Sequence, residues 1–216
     1  MLDFGYYNMD CMQGMKEFPD NYFDLAIVDP PYGINASKMT MGSGNHQFSK
    51  DKDWDAGIPD ETYFQELLRV SKNQIIWGGN YFTEYLPPSP HWIVWDKMNQ
   101  NLSFAEGELA WVNHGNNLRI FKYYTVQATK DDPKIHPTQK PIRLYKWLLD
   151  KYAKPGDKIL DTHVGSASSL IACEDFGFQY VGFEIDADYY KLGQERLERN
   201  RAQVTISDLL NDWRFP

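Results

Sequence analysis

The chain predicts an α/β fold, a Rossmann-like and mostly parallel sheet with helices on both faces. Three observations carry that reading. Short apolar runs bounded by turn residues recur along the chain, at Leu25–Val28, Gln74–Trp77, Trp92–Trp95, Leu109–Val112, Ile159–Leu160 and Tyr180–Phe183. Amphipathic segments of helical period lie between several of them, and strands alternating with helices build parallel sheets covered on both sides. Acidic residues and small-residue loops stand directly behind two of the runs, at Asp29 and Asp161, where open α/β sheets place their chemistry.

Taken in order, Asp60 predicts the N-cap of a helix reaching Ser71, with Phe64, Leu67 and Leu68 on one face. Pro141 suits the first position of a helix to about Ala153, which Pro155-Gly156 ends. Ser168 to Phe176 predicts a helix stopped by Gly177, and Asp186 to Gln203 predicts another. Residues 35–59 have no periodicity, and are expected to form a long mobile loop with a functional role. The turn-rich run Asn113-His114-Gly115-Asn116-Asn117 suggests a β-hairpin between Trp111 and Thr129.

A length of 216 residues suits one domain with a full core, here residues 1–216, and the 42% hydrophobic and 24% charged content is that of a soluble globular protein. No run approaches the roughly 18 apolar residues a membrane span needs, so no membrane association is expected. The first residues lack a basic region followed by an apolar one, so no signal peptide is expected. Cys11 and Cys173 read as reduced thiols of a cytoplasmic protein, and five scattered histidines give no metal-ligand spacing. The net charge of −8 is mildly adverse to nucleic acid, yet Trp111 to Lys146 holds seven basic residues against Asp131 and Asp132, a local +5 (7 − 2).

Asp29-Pro30-Pro31-Tyr32 and Gly33 supply an acid able to accept hydrogen bonds from an exocyclic amine, two prolines that stiffen the loop, and a ring able to stack on a base. A second run, Asp161-Thr162-His163-Val164-Gly165-Ser166-Ala167-Ser168, has the form strand, acid, small-residue loop, helix. Gly165 lets backbone approach a ligand, and Glu184 ends the next strand 23 residues on (184 − 161), where such sheets bind ribose hydroxyls. The loop is not G-x-G-x-x-G, and an acid there repels a pyrophosphate but suits a cation such as an α-ammonium. In His136-Pro137-Thr138-Gln139-Lys140-Pro141, Thr138 and Gln139 can cap a helix, or with Lys140 hold a carboxylate.

Jointly these runs resemble the amino-group DNA methyltransferases of the permuted β class, across nearly the whole chain. Asn8-Met9-Asp10-Cys11 with Phe18-Pro19-Asp20 looks like the family's opening segment, Ile75–Asn80 and Trp92–Lys97 like its later sheet motifs, and His136–Pro141 like the segment before its cofactor loop. Asp161–Ser168 departs from the usual Asp-Pro-Phe-x-Gly-Ser-Gly-Thr at Thr162, His163, Ala167 and Ser168. The resemblance implies a circularly permuted class I methyltransferase fold and S-adenosyl-L-methionine as cofactor, with S-adenosyl-L-homocysteine as product. It implies Asp29, Pro30, Pro31 and Tyr32 as the catalytic motif. Cofactor contacts are implied for Asp10, Cys11, Asp29, Thr138, Gln139, Lys140, Asp161, His163, Gly165, Ser166, Ser168, Glu184 and Ile185, without a metal. The implied reaction methylates N6 of an adenine flipped out of double-stranded DNA; an acid heading the motif leans away from cytosine N4. Cytosine N4, RNA adenine and a catalytically weak member that binds cofactor or DNA are the alternatives. Residues 112–135 form a short candidate recognition insert, implying a short or relaxed site. A second subunit in a homodimer and a cognate restriction enzyme are partners the family allows.

Overall fold

A computed structural model describes residues 1–36, 54–100, 105–124, 127–128, 130 and 132–203, with the backbone of 204–212. Its elements in chain order are β1 (Gly5–Asn8), α1 (Cys11–Met15), β2 (Phe23–Val28), α2 (Glu61–Val70), β3 (Ser71–Trp77), β4 (Trp92–Asp96) and β5 (Gly107–Val112). They continue with β6 (Arg119–Lys122), α3 (Ile142–Tyr152), β7 (Lys158–Asp161), α4 (Ser168–Phe176), β8 (Gln179–Glu184) and α5 (Ala187–Asp212). The strands form one sheet in the order β1-β8-β7-β2-β3-β5-β4-β6. The five strands from β1 to β3 in that order run parallel; β5 is antiparallel to both β3 and β4, and β6 returns parallel to β4.

The continuous apolar runs follow from burial on both faces. Along β2, Ala26 and Val28 join Met15 of α1 and Phe64 and Leu67 of α2 in one core, whereas Leu25 and Ile27 join Leu144 and Leu148 of α3 on the other side. Strand β3 divides likewise, with Ile76 toward the first core and Ile75 and Trp77 toward the second. A third cluster seats α4 and α5 against the sheet through Leu170, Leu197 and Tyr6.

Local chemistry sets the helix ends. The Asp60 carboxylate accepts the Tyr63 amide at 3.3 Å and caps α2. Gly177 closes α4 at φ +73°, a conformation glycine adopts without steric cost. Several expectations need correction. Leu68 is 36% exposed, and Tyr63 and Val70 complete the buried face of α2 instead. Helix α2 stops at Val70, because Ser71 already opens β3. Pro141 is the N-cap of α3, one place before the helix, and the last helix begins at Ala187 and continues beyond Gln203. Strands β1 and β6 lack a continuous aliphatic run, so neither stood out in the sequence.

The hairpin across Asn113–Asn117 does not form. Both edges of β5 are already taken, by β3 and β4, so the chain passes over and adds β6 to the outer side of β4 with Ile93 opposite Arg119 and Asp96 opposite Lys122. Most of the loop expected over residues 35–59 lies outside the described residues, including Gly42, Gly44, Lys50 and Lys52. Its described end, at Trp54 and Asp55, is built onto the site.

Candidate active site

Strand β2 ends at Val28, and Asp29-Pro30-Pro31-Tyr32 turns away from its carboxyl end. Strand β7 lies beside it in parallel register, with Leu25 opposite Ile159 and Ala26 opposite Leu160. Asp161, the last residue of β7, therefore stands at the same sheet edge as Asp29, and the two carboxylates act on each other electrostatically.

The corner is held by a buried charge cluster. Lys140 is 3% exposed, and its Nζ lies 2.5 Å from Asp29 Oδ2, 2.9 Å from Glu108 Oε2 and 3.1 Å from the Tyr32 hydroxyl. The Tyr32 hydroxyl donates to Asp29 Oδ1 at 2.5 Å, and Lys97 pairs with Glu108 Oε1 at 2.6 Å. Burial, reinforced by the charge of Glu108, raises the Asp29 carboxyl in spite of Lys140. Burial also works against ionised Glu108, but Lys140 and Lys97 outweigh it and hold Glu108 at about 2. The same two carboxylates overcome desolvation at Lys140 and keep it cationic.

Packing fixes the Tyr32 ring. It lies nearly parallel to Tyr81, with centroids 5.0 Å apart and planes at 15°. A Cβ on Gly78 would fall 2.1 Å from the ring, at a residue whose φ is +71°. Behind the motif, the buried Asp55 carboxylate accepts the Gly33 amide at 2.9 Å and the Ala36 amide at 2.7 Å, while the Trp54 ring packs on His136 at 5.0 Å.

The second half of the site surrounds β7 and β8. Burial raises the Asp161 carboxyl to about 7, although the Ser169 hydroxyl and the His163 amide donate to it. Asp29 and Glu184 add like charge there. Glu184 accepts the Gly165 and Asp186 amides, each at 2.8 Å. Gly165 takes φ +55°, and so does Ala167 at +63°, where the usual loop carries glycine. Burial lowers His163 to about 4, so its ring is neutral; it lies edge-on to Tyr63, and both Tyr63 and His163 hydrogen-bond the Thr162 hydroxyl. Ser166 and Ser168 bond each other at 3.0 Å.

The remaining expected residues divide. Asp10 caps α1 by accepting the Met12 amide at 2.7 Å, and Cys11 starts that helix with its thiol pushed up to about 12 by burial. The Asn8 side chain and the Met9 amide both bond the Glu184 carbonyl, which ties Asp10 and Cys11 to the end of β8. Ile185 follows there, 68% exposed. Thr138 bonds the His136 ring, while Gln139 bonds the Ile135 amide and Asp132, so both brace their own loop. Lys140, expected to face a cofactor carboxylate, has its ammonium shared between Asp29 and Glu108.

Sequence reasoning missed Glu108, Lys97, Asp55, Tyr81 and Arg196. Arg196, on α5, donates to the Ser166 carbonyl, the Ser168 hydroxyl and Asp132, joining the small-residue loop to the end of the 112–135 segment. The basic run is also less available than its count implies. Lys140 is buried, Lys146 pairs with Asp175 at 2.7 Å, and Arg143 covers the Tyr123 ring. Phe121 is buried against Trp147, whereas Tyr124 is 43% exposed.

An open, mostly parallel sheet with acids closing neighbouring strands places its candidate chemistry at the carboxyl ends of those strands. The chain belongs to the DNA methylase family of N6/N4 type, whose sequence model matches residues 76–195. The "Putative methylase YubD" of Escherichia coli (strain K12) is 24% identical, covering 96% of each chain. The type II methyltransferase M.HpaI of Haemophilus parainfluenzae is 23% identical over 88% of this chain and 72% of its own. Among solved structures, the M1.HpyAVI–SAM complex superposes with a TM-score of 0.56 at 18% identity, over 89% of this chain and 98% of that one. The cytosine-N4-specific PvuII DNA methyltransferase gives 0.59 at 12% identity, over 94% and 93%. These likenesses fit the class I methyltransferase-like α/β fold.

Proposed function

We propose that this DNA methyltransferase uses S-adenosyl-L-methionine to methylate the N6 amino group of an adenine turned out of the duplex. The observation that carries the reading is the parallel register of β2 and β7, which sets the Asp29 corner and the Asp161 loop side by side at one sheet edge. The pocket chemistry fits the cofactor. Among the described residues, Asp161 is acted on by a hydroxyl, a backbone amide and two further carboxylates, which suits a cationic amino acid and disfavours polyphosphate. Asp161 would face the methionine part, Glu184 the ribose, and Asp10 the adenine. When bound, the cofactor supplies a methyl group on a sulfonium centre.

The chain's own residues then align the acceptor. Pulling the base from the stack costs a few kcal/mol. Tyr32 offers it a ring face, and Asp29 with the Pro30 carbonyl accept its two amine hydrogens. Admission of the amine requires Asp29 to exchange the Tyr32 hydroxyl now bound to Oδ1. Accepting both hydrogens orients the nitrogen lone pair, and such alignment supplies much of the rate in a direct displacement. The acid at the head of the motif favours adenine N6 over cytosine N4. For recognition, the exposed Arg119 and Tyr124 of residues 112–135 are suited to phosphate and base contacts, supporting a short or relaxed target site.

Incubating the protein with unmethylated DNA and methyl-labelled cofactor, then digesting to nucleosides, tests the proposal. Label in N6-methyladenine is expected. Label in N4-methylcytosine, or in RNA alone, would overturn it.

A further inference from the structure

The charge cluster extends past the catalytic motif onto β5, a strand that does not carry the motif. Glu108 sits near the start of β5, two places from β2 in the sheet, and its carboxylate bridges two lysines. Lys97, Glu108, Lys140 and Asp29 thus form a row of alternating charge leading to the corner, with spacings of 2.6, 2.9 and 2.5 Å. The Lys140 ammonium has three protons and three oxygen neighbours: Asp29, Glu108 and the Tyr32 hydroxyl.

We infer that Glu108 is a positioning residue for methyl transfer, sharing the Lys140 ammonium with Asp29 so that the lysine steadies Asp29 without monopolising it. The inference rests on the proposed role of Asp29. In a poorly screened interior, a buried ammonium with one carboxylate partner is drawn wholly onto it. Asp29 would then be a neutralised, poorer acceptor for an amine. With a second carboxylate on the far side, the ammonium is pulled both ways, and the ionised Asp29 carboxylate keeps more of its strength as an acceptor. The other groups acting on Asp29, Glu108 and Lys140 are Tyr32, Tyr63, Tyr145, Asp161, Lys97 and Lys134. Among the described residues, Asp29 and Glu108 are the carboxylates that contact Lys140, and Asp161 acts on Asp29 without touching the lysine.

Simple charge satisfaction inside the fold is the competing role, and it makes a different prediction. The test compares the wild type with Glu108→Gln and with the double variant Lys97→Gln/Glu108→Gln. The double variant removes one charge of each sign, so the buried balance is kept should the single variant fold poorly. Carbon-13 NMR of the carboxyl groups follows Asp29 in the protein without ligands, and steady-state methyl transfer follows kcat, KM and the acid limb of the pH profile. Loss of the neighbouring negative charge should move the Asp29 titration and the acid limb to lower pH. It should cut kcat roughly ten- to a hundredfold while KM for the cofactor changes by less than about twofold. An unmoved Asp29 titration, or a full kcat, would overturn the inference. A wild type that methylates no DNA would sink the proposed function instead, and the titration would still decide whether Glu108 governs Asp29.

Discussion

Tyr32 holds its place because Gly78 has no side chain. A Cβ there would overlap the ring at 2.1 Å and would also sit on a backbone at φ +71°. Gly78→Ala should therefore cost roughly 2–3 kcal/mol of stability and depress methyl transfer, read by thermal melting and by label transfer. Asp29→Ala should abolish transfer while cofactor binding, measured by calorimetry, stays largely intact; unchanged turnover would refute the role given to Asp29. At this scale the sequence was legible where chemistry and position coincide, as in Asp29-Pro30-Pro31-Tyr32. It was not legible at Glu108, an acid in a strand whose partner, Lys140, is 32 residues away (140 − 108) and meets it only through the sheet. Lys140 itself was read from its own loop, where a cation before a helix suggests a bound anion, and its contact with Asp29 arises only in the fold.

Among elements, α5 does more than cover the sheet. Its Arg196 is 5% exposed and fastens the Ser166 carbonyl, Ser168 and Asp132 together. Arg196→Met would remove the cation from Asp132, leaving it only the Gln139 amide among the described donors, would take this donor from the Ser166 carbonyl, and should cost about 3 kcal/mol. The loop after β7 should loosen, so KM for the cofactor should rise more than kcat falls; an unchanged KM would contradict that linkage. Helices α2 and α4 were readable because Asp60 and Gly177 carry local capping signals. The path of β6 was not, since strand pairing depends on which edges other strands have already occupied.

Across the molecule, both halves of the candidate site hold carboxylates buried at the open edge of the sheet, and that arrangement has a stability cost that varies with pH. Asp161 keeps its proton up to about 7 in the fold, whereas in the unfolded chain a carboxyl releases it near roughly 4. Below about 4 both states are protonated and the group is neutral to folding. As pH rises from there to about 7 the unfolded chain binds fewer protons, so stability falls, and the penalty then levels at a few kcal/mol. Asp161→Asn should accordingly out-melt the wild type at pH 8 by a wider margin than at pH 5; an equal margin would contradict the assignment. The parallel sheet and its order of motifs were foreseeable from alternating strands and helices, but the charge economy of its edge needed coordinates. Diffraction from crystals grown with S-adenosyl-L-homocysteine tests the central claim most directly. The account predicts the ligand across the carboxyl ends of β7 and β8, with its sulfur turned toward Asp29. A ligand bound on the opposite edge, or with packed side chains between its sulfur and Asp29, would contradict it.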